Sequence, residues 1–211
     1  MEERLITPLA GFASMVLFVI GIFAIESGDT PGEDASGEEL ATYLADSLGT
    51  LALGAVLWGV GIIALIWFLD GLRTHVLPES ARLARLTYGF GFAAALFLLA
   101  SIMPDVAGAL ASDNFDRTLE SGAAEAISSL GDGFFIAAEL MLAGFFSAVG
   151  LASIRGRVLP AWVGWVSLLL AIVALVPPVG WAVVIFAFPL WVVVVSALLW
   201  LGGRSAASRA V

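Results

Sequence analysis

Four stretches without a single charged side chain decide what this sequence can become: Leu5 to Ile25, Ser47 to Leu69, Leu86 to Pro104, and Val158 to Gly203. A helix needs roughly 20 apolar residues to cross a hydrocarbon layer about 30 Å thick, because it rises about 1.5 Å per residue. The first three stretches are each long enough for one crossing. The fourth is long enough for two, with Pro177-Pro178-Val179-Gly180 as a turn signal in its middle. One more helix fits over 125–154, although Asp132 and Glu139 interrupt it. The reading is therefore an all-α, polytopic membrane helical bundle. Its transmembrane helices are expected at 5–26, 47–71, 84–104, 125–154, 160–176 and 181–202. Composition agrees: 61% of residues are hydrophobic and 13% charged, where a soluble domain carries about 25% charged residues. The N-terminal Met1-Glu2-Glu3-Arg4 is not net positive and no A-x-A cleavage pattern follows, so the first apolar run reads as a retained span and not a signal peptide.

Orientation follows from the nine basic residues, all of them arginine. With the N-terminus in the cytoplasm, Arg4, Arg73, Arg82, Arg85, Arg155, Arg157, Arg204 and Arg209 fall inside and only Arg117 falls outside. That asymmetry is the positive-inside pattern of short loops. It predicts six helices in a plasma membrane with both termini cytoplasmic. The formal net charge of −9 excludes nucleic acid as a partner, since that affinity rests on cations neutralising phosphates. Arginine without lysine, beside abundant Ala, Gly, Val and Leu, suggests a GC-rich bacterial genome.

The two long outer segments, 27–46 and 105–125, are both acidic. In the first, Ser36-Gly37-Glu38-Glu39 is a capping-box pattern. Leu40, Tyr43, Leu44 and Leu48 then recur at helical spacing, predicting a short amphipathic helix. In the second, Asp113, Asp116 and Glu120 surround Phe115. No calcium-loop spacing is present, and the segment reads as solvated loop.

Sliding the chain by 82 residues lays Ser47-Leu48-Gly49 on Ser129-Leu130-Gly131 and Val76-Leu77-Pro78 on Val158-Leu159-Pro160. Arg73 falls on Arg155, Ala55 on Ala137 and Leu69 on Leu151. The shared R-x-[HR]-V-L-P lies in a turn, where apolar bias does not create matches. A parallel helical-hairpin repeat of the second and third helices with the fourth and fifth is therefore expected, an architecture known in membranes.

Glu139 is the residue hardest to explain away. It precedes Arg155 by sixteen positions, about 24 Å along a helix, and an acid near a helix centre costs on the order of 2.5–3.5 kcal/mol to insert. The same spacing argument places Ser101, Trp58 and Trp191 in its layer. Asp132 lies two turns away on the same helix face. Glu139, Asp132, Ser101 and Trp58 are thus candidates for a proton or solute site. The alternative is a protonated Glu139 that hydrogen-bonds a neighbouring helix as packing. His75, the one histidine, sits in a basic turn without the partners a metal would need. Trp67, Trp162, Trp165, Trp181 and Trp200 read as interfacial belts. Small-residue pairs (Ala10 and Ser14, Ala55 and Gly59, Gly89 and Ala93, Gly133 and Ala137) would allow close helix contact. Pro189 should kink the last helix and free a carbonyl beside the acid layer.

Several chemistries lack their residues. With no lysine there is no retinal Schiff base, one histidine in a turn cannot ligate a membrane haem, and with no cysteine there is no thiolate site. No catalytic, cofactor-binding or metal-binding residues are expected, and the chain does not read as an enzyme. The stretches GEELATYLADSLG (37–49), LIWFLDGLR (65–73), SSLGDGFF (128–135) and VLPAWVGWVSLLLAIVALVPPVG (158–180) resemble a group of uncharacterised actinobacterial six-helix integral membrane proteins, a domain-of-unknown-function family. The resemblance implies fold and location, with Asp132 inside its SLGD stretch, and transfers no active-site residue. Three functions are open. The leading one is a non-enzymatic accessory or structural subunit, in the lipid bilayer with a membrane-protein partner or a second copy. The others are a small proton-coupled transporter or channel using Glu139, and a lipid-binding protein with Arg82 and Arg85 at its inner rim.

Overall fold

In a computed structural model, residues 3–208 are described apart from 28, 29, 33, 77, 79, 116, 117 and 157. Among the described residues every regular element is helical: α1 Glu3–Glu26, α2 Gly37–Asp46, α3 Leu48–Val76, α4 Ala81–Phe115, α5 Ser121–Gly156, α6 Ala161–Val173, α7 Pro177–Ala182, a π-helical turn Val183–Ala187, and α8 Phe188–Ser208. Asp116, Arg117, Arg157, Arg209 and Leu77 lie outside the described residues, as do the side chains of Arg4, Pro177, Pro178 and Arg204.

Local chemistry explains where the helices begin and end. The predicted capping box closes on α2: the Glu39 amide donates to Ser36 Oγ at 3.3 Å and the Ser36 amide donates to Glu39 Oε2 at 2.7 Å. Ser47 separates α2 from α3 and accepts the Leu51 amide at 3.0 Å. Arg73 and His75 fall in the last turn of α3, the end that favours cations. His75 Nδ1 lies 2.8 Å from the Gly71 carbonyl, so the lone histidine serves its own helix. At α4 the Leu83 amide donates to Ser80 Oγ at 3.2 Å. α6 stops after 13 residues, because Pro177 and Pro178 carry no N–H to continue it.

Five segments are long and apolar enough to cross a membrane: Ile6–Glu26, Leu48–Val76, Ala81–Phe115, Ser121–Gly156 and Val179–Gly202. α6 is shorter. Two boundaries differ from expectation. α4 runs through Pro104 to Phe115 and α5 opens at Ser121, so most of 105–125 is helix. Alanine-rich sequence favours this, and Gly108 and Ala109 are buried where Leu44, Leu119 and Ile127 pack. The second difference bears on the repeat, whose two return helices are unequal: α4 has 35 residues and α6 has 13.

Two units divide the chain. The first comprises Met1–Met15, Ile63–Ala95 and Ile136–Val211. Its core is aromatic: Phe145 and Phe146 meet Phe188 and Trp191 edge to face, with centroids 5.3–6.2 Å apart. Trp191 Nε1 donates to Ser167 Oγ at 2.9 Å and ties α8 to α6. Helices approach closely at Gly11 against Ser196, Gly71 against Thr7, Gly144 against Phe90, and Gly150 against Gly164. Of the pairs expected from spacing, Gly89 faces open space, as do Gly59 and Gly133, the first of these in this unit and the others in the second.

The second unit comprises Val16–Ile62 and Leu96–Phe135. Here small side chains pack around leucine: Ala41, Leu44, Leu51, Ala109 and Ala124 form the buried cluster. Gly37 at the start of α2 sits against Ser121 at the start of α5. Phe18 and Trp58 stack at 5.0 Å.

Candidate functional site

Glu139 is buried, with 6% of its surface exposed. It projects from α5 onto the start of α7, where Gly180 has no side chain to obstruct it. A Cβ on Gly180 would stand 2.6 Å from Glu139 Oε2 and 2.8 Å from its carboxyl carbon. The carboxyl therefore rests on bare backbone, and glycine is what admits it.

That backbone is unusual in its hydrogen bonds. The amides of Val179 and Gly180 both donate to the Val176 carbonyl at 2.9 Å, and the Val176 amide donates to the Val173 carbonyl at 3.0 Å. Among the described residues the carbonyls of Ala174 and Leu175 have no helical donor. Three and four residues beyond Ala174 stand Pro177 and Pro178, which have no N–H to give. Beyond Leu175 stand Pro178 and Val179, whose amide is already taken. The Ala174 oxygen lies 3.1 Å from the same Gly180 Cβ position as the Glu139 carboxyl. A buried acid oxygen and a carbonyl without a helical donor thus lie against the same face of Gly180. No charged or titratable group among the described residues faces Glu139.

The π turn follows at once. The Phe188 amide donates to the Val183 carbonyl, five residues back, and Pro189 next to it cannot donate at all. The wider turn accommodates the proline ring that an α-helix would drive into the preceding carbonyl. The proline predicted as a kink is realised as a π turn, a feature frequent at functional sites.

The other predicted residues are spent elsewhere. Ser101 Oγ donates to the Leu98 carbonyl of its own helix at 2.8 Å, and its carbonyl is pressed against Gly131. Trp58 Nε1 donates to the Phe18 carbonyl at 3.2 Å. Trp191 is satisfied by Ser167. Asp132 is exposed and lies within electrostatic reach of Asp105 on α4. Glu139 belongs to the first unit, whereas Asp132, Ser101 and Trp58 belong to the second. What sequence reasoning missed is the carboxyl's setting: Gly180 and the Ala174 carbonyl. The Pro-Pro pair was the available signal, because two adjacent residues without N–H must strand carbonyls upstream.

Among the described residues no group of three or more His, Cys, Asp or Glu is placed to hold a metal ion. No family model matches the chain, and neither a curated protein nor a solved structure does.

Proposed function

We propose that the chain is a multi-pass plasma-membrane protein, with six crossings and cytoplasmic termini, that acts as a small proton-coupled carrier or channel through Glu139. The observation that carries this reading is the buried carboxyl laid on Gly180 at a helix break, next to a carbonyl with no helical donor. Interrupted helices that expose backbone carbonyls are how many transporters bind their coupling ions. An acid held away from water and from lipid is a functional site by default. Arg73, Arg82, Arg85 and Arg155 border the turns assigned to the cytoplasm, in keeping with the arginine rule. α6, with 13 residues and a length of about 20 Å, makes the fifth crossing a short one, which a bilayer accommodates by local thinning.

The test is proton flux into proteoliposomes under an imposed pH gradient. Glu139→Gln should lower the flux at least about tenfold, a loss of roughly 1.4 kcal/mol in the conducting step, while the protein stays monodisperse. Equal flux in the two proteins, or none in either, returns the chain to an accessory role. Co-purification of a stoichiometric membrane partner would then describe it.

A further inference from the structure

We propose that the arginine-bearing end of the first unit binds an acidic phospholipid, its phosphate on Arg82 and Arg85 and one acyl chain along Gly89 and Ala93. Both arginines stand in the first turns of α4 and are exposed. Arg82, Arg85, Gly89 and Ala93 follow at spacings of three, four and four, so they share one helix face. A Cβ added at Gly89 would meet no packed neighbour within 4 Å. Beyond the guanidiniums that face is therefore a shallow, open channel. Leu86 to Pro104 carries no charge, so the channel runs into hydrocarbon. Beside it the rings of Tyr88 and Phe92 stack with centroids 5.9 Å apart.

Buried packing fixes the mouth of this channel. Val76 at the end of α3, Ala84 in α4 and Ala152 near the end of α5 form one cluster. Arg73, in the last turn of α3, reaches across to α4, its guanidinium 5.6 Å from the centre of the Tyr88 ring. Tyr88 follows Arg85 by three residues, so a third cation stands beside the pair. Among the described residues one carboxylate pairs with these cations, Asp70 at 3.5 Å from Arg73. Arg82 and Arg85 are left without an acid, and the forked donors of guanidinium match phosphate oxygens. A zwitterionic headgroup brings its own cation to the same place, whereas an acidic one does not. A free phosphate would leave the apolar channel unfilled. Trp67 on α3 and Trp162 and Trp165 on α6 are exposed near this end, the placement of indoles at a membrane–water boundary. The arginines thus stand at headgroup depth.

The experiment is native mass spectrometry of the purified full-length protein, stripped of lipid in mild detergent. It is titrated with dioleoylphosphatidylglycerol or dioleoylphosphatidylcholine, which share their chains and differ in net charge. The acidic lipid should bind at least about tenfold more tightly, since each basic residue near a headgroup contributes roughly fivefold. Arg82→Gln combined with Arg85→Gln should remove that preference and leave phosphatidylcholine binding unchanged. Arg155→Gln alters an equally exposed arginine in the last turn of α5 and should keep the preference. Gly89→Leu, which fills the channel, should weaken both lipids by a similar factor. Equal affinity of the native protein for the two lipids overturns the proposal. So does a preference that survives the double substitution, or one that Arg155→Gln diminishes as much, because the attraction is then diffuse charge. Displacement of the acidic lipid by inorganic phosphate, with Gly89→Leu without effect, overturns the lipid assignment in favour of a free-phosphate site.

Discussion

The two units of this chain divide its charges almost completely. The first, Met1–Met15 with Ile63–Ala95 and Ile136–Val211, holds eight of the nine arginines and five of the eighteen acids; the second, Val16–Ile62 with Leu96–Phe135, holds one arginine and thirteen acids. Their interiors differ as well. The first packs aromatic rings edge to face around Phe145 and Phe146 and contains Glu139. The second packs alanine against leucine and keeps Asp132 exposed. Charge that is abundant and exposed sets orientation and solubility. A lone charge that is enclosed does something else, because its burial needs a reason. The contrast singles out Glu139 more firmly than its rarity in the sequence does.

The sharpest way to break this comparison is topological, since the expected result is all or none. The chain has no cysteine, so a thiol introduced as Gly156→Cys at the end of α5 reports its side of the membrane without background. A maleimide that cannot permeate intact cells should leave it unmodified and should label Asp34→Cys, which lies in the acidic segment before α2. Labelling at 156 would remove the basis for placing the arginine-rich turns in the cytoplasm. Next in size is the aromatic core. Phe146 is fully buried against Phe188 and Trp191, and Phe146→Ala should destabilise the protein by about 3–5 kcal/mol, seen as a lower thermal midpoint in mild detergent. Leu44 is the counterpart in the second unit, 2% exposed on α2. Leu44→Ala should cost about 2–4 kcal/mol. If the Leu44 variant proves the weaker of the two, α2 is more than an appendage and the acidic unit carries the stability.

Much of this architecture was legible because membranes impose few solutions. Uncharged runs marked the long helices, Ser36 and Glu39 marked the start of α2, and Pro177-Pro178 marked the break before α7. Glu139 stood out by its insertion cost alone. Residues 105–115 were illegible as helix, because Asp105 and Asp113 look like loop while the evidence for helix lies in tertiary packing of Gly108 and Ala109 under Leu44. The partners of Ser101 and Trp58 were illegible for another reason. Depth along a helix fixes height and not azimuth, and hydroxyls in helices readily turn back to their own carbonyls, as Ser101 does. Gly180 lay hidden among 23 glycines; only the carboxyl resting on it distinguishes it.

The smallest effects belong to the cap of α2, and they separate a geometric contribution from an electrostatic one. Ser36→Ala removes the oxygen that accepts the Glu39 amide and should cost about 1 kcal/mol. Glu39→Gln keeps an acceptor for the Ser36 amide and removes only the charge. The Ser36 amide, and after it the Ser36 hydroxyl, hold the Glu39 carboxyl below the ordinary carboxylate range. A group whose folded pKa is depressed lends stability above its unfolded pKa and loses it as pH falls through the folded value. Thermal midpoints should therefore place Glu39→Gln slightly below the native protein at pH 7, and the two should converge as acidification below the unfolded value near 4.3 carries the carboxyl on through its lowered folded pKa. Part of the Ser36→Ala deficit should persist there, because one bond it removes joins a neutral hydroxyl to the Glu39 amide, whereas the other, from the Ser36 hydroxyl to the Glu39 carboxylate, weakens as that carboxyl is protonated. A deficit of Glu39→Gln that survives at low pH would mean that amide geometry, and not charge, holds the entry to the acidic unit.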